Sequence, residues 1–572
     1  MGSLGSGNFE ENAADGTSPS PPFNINRIAI IGAGPSGLAA AKHLLAEGFS
    51  SSQVDIYEQQ SDVGGVWNYS AVTSPEAPRV PQTDAYAALD VPIYPKEPEG
   101  EEKDEYADYE FDSDEEASTA PGSGACSLPS VPRKEKKPPI FPNPMYEDLH
   151  TNIPHTLMRY SDLGFTTDGR GKGTHDDCEI FPSREVVWEY ILQYARDVRH
   201  LVRFSTQVTD VSLQAPVSST PEVISDKWTV RSTNLLTDVS RTETYDAVAV
   251  ASGHYSTPYI PSVSEISAFA TKHPGVISHS KTYRTASAFA GKRVVVVGSA
   301  SSGLDIASQI SAVCAKPLII SARSPIADDM SEHLGVGDKV RVVGQIERFL
   351  VNEKGIEVRP APTSSGIDPA GQENTEQISD IDAILFCTGY LYAFPFISAS
   401  SLPPSTPPLI TDGRRVHGLA RHFIHTYHPT LVFPGLPIKI IPFPLAEAQA
   451  AVFSRVWANR LPLPSHEGLQ RWEREDEEGR GLEGSRVPGE GKSFHVFPKG
   501  GDARYINALH DWALKARGEQ GEGDGKKGKG KEPPFWGDEE LWQRSIYAQA
   551  KIQFEKTGRT AKTLRELGFV HE

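Results

Sequence analysis

The chain has little cysteine for its length, four residues in 572: Cys126, Cys178, Cys314 and Cys387. None forms a C-x-x-C pair, and no histidine cluster lies near one at metal-ligand spacing. A dithiol reductase and a structural zinc site are thereby disfavoured, and no metal is expected. A chain this long needs no disulfide framework, so reduced thiols in a cytoplasmic protein are the expectation. Positive charge is also short. Asp and Glu number 75 against 56 Lys and Arg, for a formal net charge of −19 and a pI near 5.4. That balance argues against nucleic acid and against adsorption to anionic lipid. Long hydrophobic runs are absent too. The most apolar stretch, Leu431 to Phe453, is broken by four prolines and Lys439, which argues against a membrane span. The N-terminal segment has neither an apolar core nor an Arg-rich amphipathic pattern, so no targeting signal is read there.

Apolar residues make up 38% of the chain and the mean hydropathy is −0.38, so part of it lies outside any packed core. Three segments fit that description. Residues 1–26 read as a small, polar, Pro-rich tail. Residues 75–139 read as an insert whose centre, 97–116, carries twelve acidic residues and one lysine. So many like charges cannot fold compactly. Gly518 to Pro533, rich in Gly and Lys, reads as a flexible loop.

What recurs in the remainder is a strand, a glycine turn and a helix. Arg27–Ile31 is a short apolar run. Gly32-Ala33-Gly34-Pro35-Ser36-Gly37 follows it, then the helical stretch Leu38 to Leu45 and the strand Val54–Tyr57, which ends in Glu58. The second unit runs from the β-branched strand Val294–Val297 through Gly298-Ser299-Ala300-Ser301-Ser302-Gly303 and a helix to the strand Pro317–Ser321. Asp246–Gly253 and Asp382–Gly389 read as two more buried strands ending in glycine turns. Helices are expected over Arg184 to Val198, Leu445 to Trp457 and Asp538 to Lys556.

Both turns read as phosphate cradles in the required context, with a turn that serves only packing as the alternative for each. The first glycine allows a tight turn, the second lets backbone approach a pyrophosphate, and the third lets helix and strand pack closely. The helix start then presents free N–H groups and a positive dipole end. Glu58, roughly twenty residues past Gly37, stands where a carboxylate accepts ribose hydroxyls. In the second turn Ala300 replaces the middle glycine, and Ser301 and Ser302 supply hydroxyls. The strand that follows ends Ser321-Ala322-Arg323, with no acid for a ribose 2′-hydroxyl. Arg323 and Ser321 suit a 2′-phosphate instead, which favours NADPH over NADH. The bland alternative for Arg323 is a solvated surface arginine.

Further motifs carry a resemblance. Gly64-Gly65-Val66-Trp67 follows the first unit. His273, Gly275, His279 and Tyr283 precede the second with the spacing of the fingerprint F-x-G-x-x-x-H-x-x-x-Y/F, His273 standing where Phe is usual. Leu149-His150-Thr151-Asn152, Phe181-Pro182-Ser183, Cys387-Thr388-Gly389-Tyr390, and the run from His428-Pro429 through Pro434-Gly435 to Gln449 complete the set. Together they resemble the flavin-containing monooxygenases, the class B flavoprotein monooxygenases, particularly fungal-type members. The related Baeyer–Villiger enzymes end the fingerprint in Trp, so Tyr283 points away from them.

The resemblance implies an α/β fold with two Rossmann-like dinucleotide-binding domains, the NADPH domain inserted into a larger, discontinuous FAD domain. The implied boundaries are 27–255 and 385–572 for FAD, the latter with a C-terminal helical extension, and 256–384 for NADPH. Gly32, Ala33, Gly34, Pro35, Ser36, Gly37, Glu58, Val66, Trp67, Thr151, Asn152, Val208, Thr388 and Gly389 would contact FAD or its surroundings. Gly298, Ser301, Ser302, Gly303, Asp305, Ser321 and Arg323 would hold NADPH. The implied chemistry is hydride transfer to FAD, addition of O₂ at flavin C4a, and oxygen transfer from the hydroperoxide to a soft sulfur or nitrogen nucleophile in a small-molecule substrate. Asn152 is the catalytic candidate, an amide near the C4a adduct, with loop capping as its alternative. His279 is either a protonating group or a fixture of the interdomain linker, and Tyr283 either an acid or packing. Carbonyl oxygenation and a non-catalytic FAD-binding regulatory module are the competing functions. The substrate and the oligomeric state are left open.

Overall fold

The computed structural model describes residues 20–74, 78–85, 89–95, 136–165, 178–215, 223–363, 375–479, 493–516 and 530–571. Two mostly parallel sheets organise them. The larger has seven strands, in the order Leu419–Ala420, Ile424–His425, Leu431–Val432, Ala247–Val250, Ile28–Ile31, Val54–Tyr57 and Val202–Arg203. Ile28–Ile31 pairs in parallel with both neighbours, Ile28 lying opposite Val54 and Ala247. Every residue of Ile28–Ile31 and of Ala247–Val250 is buried, as expected of central parallel strands covered on both faces. One face carries the helices Pro35–Ala46, Pro442–Trp457 and Gly501–Leu514. The other packs on the antiparallel meander Thr206–Leu213, Trp228–Asn234 and Ser240–Tyr245, where Trp228 and Tyr245 are fully buried.

The smaller sheet is wholly parallel. Its order is Val340–Val343, Ala315–Ser321, Arg293–Val297, Ala383–Phe386 and Ile277–His279. The NADPH-type unit is thus inserted into the larger one. Thr257–Pro258 on the way in pairs antiparallel with Tyr390–Leu391 on the way out, which holds the two connections side by side. Residue 384, the expected boundary, lies within the Ala383–Phe386 strand of this sheet.

Three expectations of unpacked chain need correction at their edges. Within 1–26, the described residues 20–26 are anchored at Phe23. Phe23 is buried, its N–H donates to Asn459 Oδ1, and it bridges to Ile224. Within 75–139, Gln82 pairs with Ile260, Ile93 pairs with Ile140, and Ala85 is buried. At the end of 518–533, Lys531 forms an ion pair with the fully buried Glu447. The acidic centre 97–116 lies outside the described residues. The three described cysteines, Cys178, Cys314 and Cys387, are buried and form no disulfide among the described residues, and Cys126 lies outside them. Among the described residues no helix is long and apolar enough to cross a membrane, and no group of His, Cys, Asp and Glu could hold a metal ion.

Candidate active site

The first glycine turn is built by two close approaches. Gly32 has φ +103°, and a Cβ there would lie 2.6 Å from the Ala251 carbonyl oxygen. A Cβ at Gly37 would overlap the Gly32 carbonyl. Both positions are therefore glycine for reasons internal to the protein. Gly34 differs. Its φ is an ordinary −77°, and a Cβ would meet only the Gly65 backbone, at 3.5 Å or more. Packing does not require a glycine at Gly34; its bare backbone leaves open the space in front of the Pro35–Ala46 helix start, where no side chain caps the helix. That is the room a pyrophosphate needs.

Glu58 is buried beside the turn. Its carboxylate accepts the Ala33 N–H at 2.8 Å and the Gln60 N–H at 2.9 Å. Burial raises its pKa, and those backbone donors oppose the shift. The Gly64-Gly65 loop closes the other side. Gly64 N–H donates to Ala33 O at 3.0 Å, and a Cβ at Gly64 would lie 2.9 Å from Trp188. Gly435, from a segment far along the chain, stands against Ser36, where a Cβ would fall 2.5 Å from the Ser36 hydroxyl.

The second cradle repeats the plan. Gly298 has φ +113° and sits where a Cβ would be 2.7 Å from the Cys387 carbonyl oxygen, while a Cβ at Gly303 would overlap the Gly298 carbonyl. Ala300 takes the N-cap of the Ser301–Ser311 helix, again without a side-chain cap. Ser301 and Ser302 are exposed at that helix start.

Both cradles open on one cavity of about 2080 Å³. Gly32, Gly34, Pro35, Ser36, Glu58, Val66, Trp67, Thr151, Asn152 and Val208 line it, as do Gly298, Ser301, Ser302, Asp305, Ser321, Arg323, Thr388 and Gly389. Ala33, Gly37 and Gly303 do not. They lie behind the wall, Ala33 donating to Glu58 and the two glycines in packing. The donor set fits two dinucleotides: two uncapped helix starts for phosphates, a buried carboxylate for ribose, and an apolar face including Trp67 and Phe443.

Asn152 is exposed within this cavity, and its amide has no hydrogen-bond partner among the described residues. Its neighbours are fixed: Thr151 N–H donates to Pro182 O at 2.9 Å and the Thr151 hydroxyl to Ile153 O at 2.8 Å. The segment preceding Asn152 is tied to the smaller unit. Tyr146 donates its hydroxyl to Asp305, and Arg284 donates to Met145 O at 3.2 Å. Asp305 also accepts from Gln309 at 3.2 Å, so this carboxylate serves as a tether as well as lining the cavity.

The two open side chains of the fingerprint are engaged internally. His279 is fully buried. Its Nδ1 accepts the Lys281 N–H at 3.1 Å, which leaves the Nε2 proton for Gly389 O at 3.1 Å. Burial lowers its pKa to about 4, so it is neutral at pH 7. Tyr283 is buried, stacks edge-on with Tyr146, and donates to Gln309 Oε1 at 2.9 Å. His273 holds Val351 O at 2.8 Å through Nε2. Gly435 and the C-terminal helix residues Arg544 and Lys551, which also line the cavity, carry no local pattern that assigns them to it.

Two nucleotide cradles facing one another across a shared cavity define a two-cofactor oxidoreductase. Residues 143–359 match the Flavin-binding monooxygenase-like family, and residues 30–83 match the NAD(P)-binding Rossmann-like domain. The chain is 30% identical over 451 residues to flavin-containing monooxygenase FMO GS-OX-like 4 of Arabidopsis thaliana, covering 78% of this chain and 79% of that one. It is 28% identical over 535 residues to flavin-containing monooxygenase iboF of Amanita muscaria, covering 87% and 90%. The structure of S-allyl-L-cysteine S-oxygenase from Allium sativum superposes with a TM-score of 0.63 at 22% identity, over 95% of this chain and 96% of that one. The chain belongs to the flavin-containing monooxygenase family and is an FAD-dependent monooxygenase with an NAD(P)-binding Rossmann-like domain.

Proposed function

We propose that FAD lies along the Gly32 side of the cavity and NADPH along the Gly298 side, and that the enzyme oxygenates a soft sulfur or nitrogen nucleophile, sulfur foremost. The names of the relatives support sulfur, since the garlic protein is an S-oxygenase. The observation that carries the reading is Asn152, whose amide has no partner among the described residues and is exposed in a cavity lined by both cradles. When bound, NADPH supplies the hydride and reduced FAD activates O₂ at C4a.

The chain's own residues do the rest. The bare backbone at Gly34 and the Pro35 helix start receive the FAD pyrophosphate, with Ser36 beside it. Glu58 accepts the ribose hydroxyls through its remaining lone pairs, and Val66, Trp67 and Val208 line the FAD side. The Ser301–Ser302 helix start receives the NADPH phosphates, and Arg323 the 2′-phosphate. Thr388 and Gly389 join the two units at the cavity wall, the Thr388 hydroxyl donating to Tyr259 O. Asn152 would offer its amide as a hydrogen-bonding group to the bound flavin, and Thr151 holds that loop in place. Domain limits near 255 and just past 386 follow from this division of labour. A wall closed by Tyr146–Asp305 and by the C-terminal helix keeps water from the reacting centre.

The test is anaerobic reduction with NADPH followed by mixing with O₂, with flavin absorbance recorded and H₂O₂ scored against oxygenated thioethers, thiols, amines and ketones. A C4a adduct that decays faster with a thioether or amine supports the reading. H₂O₂ as the sole product, or an ester from a ketone, overturns it.

A further inference from the structure

The sequence pairs Ser321 with Arg323 for the 2′-phosphate of NADPH, and the structure removes one partner. Ser321 is buried and its hydroxyl donates to Gly344 O at 2.9 Å. A hydroxyl whose proton is committed inward offers a phosphate no donor. Arg323 is exposed at the cavity wall and has no ion pair among the described residues.

A second guanidinium lines the same cavity. Arg414 comes from the turn at 411–415, outside the inserted unit, and its guanidinium carbon lies 4.1 Å from the Tyr259 ring centroid. Its backbone is fixed. Arg414 N–H donates to Asp412 Oδ1 at 3.0 Å, and Gly413 O accepts the Tyr392 N–H at 2.8 Å. The next residue takes the opposite course: Arg415 is buried and ion-paired to Glu477 at 2.6 Å and to Glu473 at 3.6 Å. Arg414 has no ion pair among the described residues. Burial lowers its pKa. Tyr259 and Asp412 oppose that shift, and the like charge of Arg323 adds to it. Two guanidiniums that line one cavity, neither ion-paired to a carboxylate among the described residues, form an anion site.

We propose that Arg414 and Arg323 together clamp the 2′-phosphate of NADPH, so that discrimination against NADH is shared between the inserted unit and the larger one. The adenosine end of the coenzyme then bridges the two units, and Tyr259 holds the Arg414 fork flat against its ring. A planar guanidinium suits a phosphate in two-point contact, which lysine does not reproduce. The inference rests on the Gly298 cradle holding NADPH.

The experiment titrates NADP⁺, NAD⁺, 2′,5′-ADP and 5′-AMP into the FAD-loaded enzyme, in the unaltered form and as Arg414→Gln, Arg414→Lys and Arg323→Gln. Arg414→Gln is expected to weaken NADP⁺ and 2′,5′-ADP by about tenfold or more, the worth of one charge-assisted contact, with NAD⁺ and 5′-AMP unchanged. Arg414→Lys should recover part of the loss, and higher salt should narrow the gap between variant and unaltered enzyme. Unchanged NADP⁺ affinity in Arg414→Gln, or equal weakening of NADP⁺ and NAD⁺, overturns the clamp while leaving the cradle standing. Failure of the unaltered enzyme to bind either nucleotide overturns both.

Discussion

Gly34→Ala separates what the first cradle needs for folding from what it needs for FAD. The backbone at Gly34 has φ −77°, which alanine adopts freely, and the added methyl would meet only the Gly65 backbone, at 3.5 Å or more. Restricting the unfolded chain stabilises by about 0.4–1 kcal/mol. Alanine is a poorer N-cap than glycine by about 0.5–1 kcal/mol. The two offset, so the apoprotein should keep its stability to within about 1 kcal/mol. FAD binding should not survive as well. The methyl stands over the helix start, and losing two charge-assisted bonds from backbone N–H to phosphate costs about 3 kcal/mol or more, roughly a hundredfold in affinity. Gly37→Ala is the contrast. Its methyl would overlap the Gly32 carbonyl, and backbone must move at a cost of about 3 kcal/mol. The assay is thermal or denaturant unfolding of the apoproteins, alongside FAD titration followed by flavin fluorescence. The reasoning is refuted if alanine at position 34 binds FAD as the unaltered protein does, or if it destabilises the apoprotein as much as alanine at position 37.

Three further perturbations test other parts of the site. Asn152→Ala, at an exposed cavity position, should change stability by no more than about 0.5 kcal/mol. It should leave NADPH oxidation running while oxygenated product falls about tenfold and H₂O₂ per NADPH rises, read by peroxide assay. Tyr146→Phe removes a donor to Asp305, whose pKa burial raises and Tyr146 holds back. The Asp305 pKa should rise further, so the variant is destabilised by about 1–3 kcal/mol at neutral pH and recovers towards the unaltered protein as acid protonates the carboxyl; unfolding free energy against pH checks this. Lys531→Met removes the ammonium partner of Glu447 and leaves it only the Ser161 N–H and hydroxyl bonds, at 2.9 and 2.6 Å, and the nearby His43. Burial pushes that carboxyl up, yet His43 and Lys531 hold it down to about 2, so it contributes stability above pH ~4.5 that is lost as pH falls towards 2. The variant should lose about 3 kcal/mol at neutral pH and become less sensitive to acid than its parent; equal acid sensitivity in the two would count against the pairing.

Both cradles were legible in the sequence because their demands are local. Gly32 and Gly37 answer to one another and to Ala251 within a strand, a turn and a helix, and the same geometry recurs at Gly298 and Gly303 with Cys387. Continuous burial marked the central strands, and the Asp538–Lys556 helix runs as its pattern indicates. Composition misled where a few apolar contacts outweigh polar neighbours. Phe23 anchors a stretch that otherwise reads as tail, and Ile93 and Ala85 dock the edges of an acidic insert. A single buried ring or a short bridge can order several residues, yet it hardly alters the average over a window.

The cavity's other contributors were illegible for a different reason: they act at a distance in the chain. Gly435 is a glycine because Ser36 stands against it, and nothing near position 435 says so. Ser321 and Arg323 end the same strand and look equally available, but Ser321 is spent on Gly344 while Arg323 faces the cavity. Arg414 and Arg415 are adjacent and identical, yet one is neutralised by Glu473 and Glu477 and the other stacks on Tyr259 in the cavity wall. A strand's alternation could have predicted that neighbours diverge, but 411–415 is a turn, and only the tertiary position of two glutamates decides which guanidinium stays free. Motifs therefore mark the glycine turn of each unit, whereas the contacts that close one unit on the other must be read from where unpaired charge remains.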